Sequence, residues 1–150
     1  MEPLPVSTVA NLIQLAIAPV FLLAGIGAIL NVLAQRLARV VDRARTLEAE
    51  IESYDETRRA RAAAELCYLD RRIRVVNQAI RCCTASALFT CLVVAILFVA
   101  DLADFPFSQP IALFFIVAML LLIAGLILFL LEIRLAMKSL TVRRELLPKD

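Results

Sequence analysis

The groups able to do chemistry in this chain are carboxamides in apolar surroundings, a set of arginines, and one acidic residue at the end of an apolar block. Gln14, Asn31 and Gln35 lie in the first apolar stretch, and Asn77 lies at the edge of the second. A carboxamide held out of water needs a hydrogen-bonding partner, so it either joins helices or faces a water-filled path. Arg36, Arg39, Arg43, Arg74 and Arg81 lie beside the apolar blocks, where arginines anchor topology and meet anionic headgroups. Beside an anionic membrane surface each is worth about 1 kcal/mol, which makes these five the candidate headgroup contacts. Glu132 follows the last apolar block directly, and it reads as an ion-pair partner for Arg36 or Arg81 rather than a proton carrier.

Other chemistry is poorly supplied. Histidine is absent, and Cys67, Cys82, Cys83 and Cys91 include no Cys-x-x-Cys spacing, so no zinc, haem or other metal site is expected. The cysteines read as small apolar filler. Gly25, Gly27 and Gly125 form no phosphate-cradling loop, no apolar block contains paired carboxylates, and no serine or cysteine has a base in reach. The chain therefore reads as a non-enzyme without cofactor. Nucleic acid is not an expected partner, because acids interleave with the basic residues and the segment lacks a set of aromatics for stacking, holding only Tyr54 and Tyr68.

The elements that position these groups are set by hydropathy. The composition is 62% hydrophobic, with mean hydropathy +0.86, too apolar for an ordinary soluble domain. Pro3–Gln35, Cys82–Ala100 and Phe105–Leu131 carry no charge. Each is long enough for a membrane helix, which needs about 20 apolar residues. The reading is an all-α membrane protein of one domain, with spans at about 12–34, 79–100 and 111–131. Thr8 or Asn11 is a candidate cap for the first span, and Pro19 should kink it. The first block lacks a basic leader region, is too long, and contains Gln14 and Pro19, so it reads as a span and not a cleaved signal. Asp101–Pro110 reads as a short turn, acidic through Asp101 and Asp104, with Phe105 and Phe107 at the outer interface. Of the 16 basic residues, 11 fall between Arg36 and Arg81 and 5 follow Leu131. Lysine- and arginine-rich loops stay cytoplasmic, so the N-terminus is expected outside and the tail 132–150 inside, where it extends span three as a helix.

The segment 36–78 carries a second pattern. Leu33, Leu37, Val40, Ala44, Leu47, Ile51 and Tyr54 follow a heptad stripe, as do Ala62, Leu66, Leu69, Ile73, Val76 and Ile80. Between them lies Ser53-Tyr-Asp-Glu-Thr57, with Asp55 as candidate cap for the second helix. The expected structure is a cytoplasmic antiparallel, coiled-coil-like hairpin between the first and second spans. A register pairing Leu33 with Ile80 and Leu47 with Leu66 sets Arg43 beside Asp70, Asp42 beside Arg71 and Glu52 beside Arg61, and opposes Glu48 to Glu65. Arg36, Arg39, Arg43, Arg72, Arg74 and Arg81 crowd its base, while Glu48, Glu50, Glu52, Asp55 and Glu56 crowd its tip. The same register brings Asn77 and Gln78 near Arg36 and Gln35. With Asn31 and Thr84 they would form a polar layer at the inner membrane boundary.

The runs Asn31-Val-Leu-Ala-Gln-Arg-Leu-Ala-Arg-Val-Val-Asp-Arg-Ala-Arg45 and Leu69-Asp-Arg-Arg-Ile-Arg-Val-Val-Asn-Gln-Ala-Ile80 resemble a family of small bacterial three-span membrane proteins known only as a domain of unknown function. The resemblance covers nearly the whole chain and implies a bacterial inner-membrane location and this topology, but no catalytic or binding residues.

At 100° per residue, Val20, Ala24, Gly27, Asn31 and Gln35 share one face of the first span, and Gln14, Ala18, Gly25 and Ala28 share the adjacent one. Small residues let helices approach and amides bond across the contact. The leading reading is a membrane module that self-associates, as a homo-oligomer, or binds a cytoplasmic protein through the hairpin. The alternative is a homo-oligomeric ion channel with the first span lining the pore. A lipid-responsive sensor using the arginine-rich base is the third.

Overall fold

The computed structural model describes the backbone of residues 6–102 and 108–144 and the side chains of 13–100 and 109–137. The chain forms three helices, α1 (Val6–Glu50), α2 (Glu56–Leu102) and α3 (Ser108–Arg144), with a 3-10 turn at Ile51–Ser53. There is no strand among the described residues. The three helices have 45, 47 and 37 residues, well beyond the roughly 20 that cross a hydrocarbon core. All three are long and apolar enough to cross a membrane, which marks a multi-pass membrane protein.

The helix ends follow local chemistry. α1 starts at Val6, so Thr8 and Asn11 lie inside it rather than capping it. It stays helical through Pro19. The turn after it falls where the stripe is interrupted. Tyr54 is extended (φ −86°, ψ 144°), and the Asp55 carbonyl accepts the Arg59 N–H at 2.8 Å, which makes Asp55 the N-cap residue of α2. The Arg59 side chain reaches back, its Nε donating to the Ile51 carbonyl at 3.3 Å and its Nη2 to the Glu52 carbonyl at 3.2 Å. The Ile51 carbonyl also accepts the Tyr54 N–H at 3.4 Å, and Arg59 adds a second donor there while meeting the Glu52 carbonyl at the helix end. Pro110 sits in the first turn of α3, where a missing N–H leaves no bond unmade. Asp104, Phe105, Pro106 and Phe107 of the expected turn lie outside the described residues, as does the side chain of Asp101. α3 continues without a break through Glu132 to Arg144.

The chain divides into two compact units, one of Met1–Leu30 with Cys82–Ile123 and the other of Asn31–Arg81 with Ala124–Asp150. In the first, Ala16 and Ile26 of α1, Cys83, Ser86, Thr90 and Val93 of α2, and Ala118 of α3 are buried. The Ser86 hydroxyl donates to the Ala118 carbonyl at 2.7 Å, a bond that needs the two helices close, and both of these small residues are fully buried. Phe89 and Phe114 stack with ring centroids 5.9 Å apart. The apolar stretch of α3 is 11% buried against 22% for α2, so α3 gives most of its surface to the surroundings.

In the second unit, Val40, Ala44 and Leu47 of α1 form one buried cluster with Ala62 and Leu69 of α2, and Ile51, Tyr54, Leu66 and Ile73 pack against it. Every member belongs to the heptad stripes. The stripe changes phase near its end, where Ala79 is fully buried and Ile80 only half-buried. The expected charge pairs also shift. Arg43 binds Glu65 at 2.9 Å instead of Asp70, and Asp70 pairs within α2 with Arg74 at 2.9 Å. Glu65 thereby faces a cation rather than the repulsion expected from Glu48. Neither Asp42–Arg71 nor Glu52–Arg61 forms an ion pair among the described residues.

Candidate functional site

The most unusual group in the molecule is Glu132, a carboxylate with no exposed surface. Burying an acid this fully is costly unless cations and hydrogen bonds replace water. Two arginines do so, one from each of the other helices. Arg36 Nη1 of α1 donates to Oε2 at 3.0 Å, and Arg72 Nη2 of α2 donates to Oε1 at 2.6 Å. Each carboxylate oxygen therefore holds one guanidinium. Aromatic rings complete the surround. The Arg36 guanidinium lies 5.4 Å from the centroid of the Phe129 ring, and that of Arg72 lies 6.0 Å from the Tyr68 ring. The Tyr68 hydroxyl donates to the Leu135 carbonyl. Residues 129, 132 and 135 recur every three positions, so one face of α3 presents a ring, an acid and a carbonyl to α1 and α2.

This node ties three helices through one charge. Its two cations differ in solvent access, the Arg36 side chain being 34% exposed and that of Arg72 16%. Arg36 was an expected partner of Glu132. Arg81, the other, is exposed and forms no ion pair among the described residues. Arg72 is the partner that sequence reasoning missed. It stood among several arginines near the hairpin base, 60 positions from Glu132, and no local spacing singles it out. The signal that existed was Glu132 itself, the first charge after an uncharged run of Leu, Ile and Phe.

The remaining candidates are dispersed. Gln14 is exposed, and Gly27 is exposed with nothing within 4 Å of where a Cβ would sit. Asn31 and Gln35 are exposed and bond to each other, Gln35 Nε2 donating to Asn31 Oδ1 at 3.4 Å. Asn77 is half-buried, with no side-chain hydrogen bond to Asn31 or Gln35 among the described residues. Arg39 is exposed, and its Nε donates to the Gln35 carbonyl at 3.4 Å. Arg43 and Arg74 make the ion pairs with Glu65 and Asp70 already described.

A protein-family model described as "Protein of unknown function (DUF2721)" matches residues 16–142. No curated protein and no solved structure matches the chain.

Proposed function

The chain belongs to the DUF2721 family, and we propose that it is a non-enzymatic membrane module that associates with copies of itself through the small and amide-bearing side of α1. One observation carries this reading. Gln14, Ala18, Ala24, Gly25, Gly27, Ala28, Asn31 and Gln35 are all exposed in the single chain, and added Cβ atoms at Gly25 and Gly27 would meet nothing within 4 Å. The residues that α1 buries, such as Ala16, Ile26, Leu33 and Val40, lie on other positions. Lipid offers carboxamides no hydrogen bonds, whereas a second copy offers both amides and close backbone approach.

The charge distribution supports the rest. With 11 arginines between Arg36 and Arg81, the turn between α1 and α2 belongs in the cytoplasm, with the N-terminus outside and the end of α3 inside, in the plasma membrane of a bacterium. There α1 and α2 form a coiled-coil-like cytoplasmic hairpin whose acidic tip is open to a protein partner.

Assembly mass in lipid nanodiscs, obtained without detergent extraction, tests the proposal. Dimers or larger assemblies are expected, and Gly27→Leu should reduce them while leaving helicity and thermal unfolding of the chain unchanged. A monomer at every protein-to-lipid ratio would refute self-association. A closed ring of four or more copies that conducts ions, with conduction altered by Asn31→Leu, would replace the packing role with a pore.

A further inference from the structure

The cavity beside the Glu132 node has a composition of its own. It measures about 310 Å³ and is lined by Arg36, Arg39, Val40, Arg43, Leu69 and Arg72. Its volume falls at the low end of ligand pockets, about 300–1,000 Å³. Val40 and Leu69 are buried and give it an apolar side. The other four residues are arginines. Three of them recur along α1 at the i, i+3 and i+7 positions that share a helix face, and α2 supplies the fourth.

These arginines are only partly neutralised. Glu132 is shared by Arg36 and Arg72, and Glu65 pairs with Arg43. Among the described residues Arg39 bonds to a main-chain carbonyl and to no carboxylate. Four guanidiniums against two carboxylates leave two positive charges uncompensated at one cavity. Arg72 Nε is buried and has no hydrogen-bond partner among the described residues, so the donors of this guanidinium are not all met within the chain. Access is available, because Arg39 is exposed and the Arg43 side chain is 53% exposed.

We propose that Arg36, Arg39, Arg43 and Arg72 form a binding site for a phosphate group, carried either by an anionic phospholipid headgroup or by a small soluble phosphate. Planar guanidiniums match phosphate oxygens in pairs, and two free positive charges suffice for either a phosphodiester monoanion or a phosphate dianion. Arg74 and Arg81, which the sequence groups with the others, do not line the cavity. The site does not depend on self-association, since all of its residues come from one chain.

The test uses the purified full chain in a neutral detergent. The probes are inorganic phosphate, short-chain phosphatidylglycerol and phosphatidylcholine of matching chain length, followed by titration calorimetry. Saturable binding of phosphate or phosphatidylglycerol is expected. Arg39→Gln should weaken it about tenfold, as loss of one charge-assisted hydrogen bond does. Arg39 holds no carboxylate, so this variant should keep the wild-type unfolding temperature. Arg45→Gln, an exposed arginine outside the cavity, should bind normally. Binding of phosphatidylglycerol alone identifies a headgroup site, and binding of inorganic phosphate alone identifies a soluble anion. The proposal is overturned if neither saturates, if phosphatidylcholine binds as well as phosphatidylglycerol, or if Arg45→Gln weakens binding as much as Arg39→Gln.

Discussion

Replacing Glu132 by leucine removes the carboxylate that, among the described residues, joins α1 and α2 to α3. The cost follows from what is left behind. Arg72, 84% buried by its 16% exposure, would keep a charge with no counter-ion. Breaking such a buried pair costs about 3–5 kcal/mol. Arg36 is about one-third exposed and can turn toward water, so its share is that of a surface pair, about 1 kcal/mol or less. The Tyr68 ring near Arg72 offsets part of the loss by about 0.5–1 kcal/mol. The expected net loss is about 3 kcal/mol for Glu132→Leu. Glu132→Gln also leaves Arg72 without a counter-ion and keeps an acceptor for only one of the two guanidiniums, so a loss of about 2–3 kcal/mol is expected, somewhat below that of leucine. Both are large beside total stabilities of about 5–15 kcal/mol. Reversible unfolding in mixed micelles, followed by helical circular dichroism, measures them. Glu132→Leu combined with Arg72→Met removes both buried charges and should recover to within about 1 kcal/mol of the parent, because an apolar replacement of a whole buried pair is often neutral. A single-variant loss below about 0.5 kcal/mol, or a double variant equal to the sum of the singles, would show that the node is not coupled as the geometry requires.

Within the first unit, Ser86→Ala deletes the bond to the Ala118 carbonyl and should cost only about 0.6 kcal/mol, the usual worth of such a bond in a membrane, whereas Ser86→Leu should disrupt folding because the site is fully buried. Leu47→Ala, at a position 3% exposed, should destabilise the α1–α2 cluster by about 2–5 kcal/mol in denaturant titration. The exposed Arg43–Glu65 pair should show a double-mutant coupling of about 0.2–1 kcal/mol that fades with added salt. The Tyr54 hydroxyl donates to Glu50 Oε2 at 2.5 Å, which holds the phenol's pKa above its ordinary 10.0. The folded chain thus binds this proton more tightly, so the contact stabilises below pH about 10 and is lost as pH rises through the raised value. Tyrosinate absorbance in a Tyr68→Phe background should titrate late and return to the ordinary value with Glu50→Gln.

Much of the architecture was legible in the residues because its causes are local or periodic. Three charge-free blocks mark the apolar helices, since hydropathy over a window needs no knowledge of neighbours. The heptad stripes named Val40, Ala44, Leu47, Ala62 and Leu69, and these are the positions the structure buries. The break at residues 53–57 was visible because the stripe lapses there beside a capping aspartate. Charge pairing was less legible. Long side chains on neighbouring turns have several partners in reach, so a register that places the backbone correctly still misassigns Arg43 and Asp70.

By itself, the sequence determined that this is a helical protein with three membrane-crossing lengths, that its arginines cluster near the apolar boundaries, and that Glu132 needed a cation. Only tertiary structure decided which cations those are, because Arg36 and Arg72 lie 96 and 60 positions from Glu132 and meet it only through the packing of separate helices. The same packing gathered Arg36, Arg39, Arg43 and Arg72 around one cavity and left Arg74 and Arg81 outside it. It also left the glycines and amides of α1 uncovered. Helical periodicity fixes which residues share a face, but which face is covered depends on where the other helices lie.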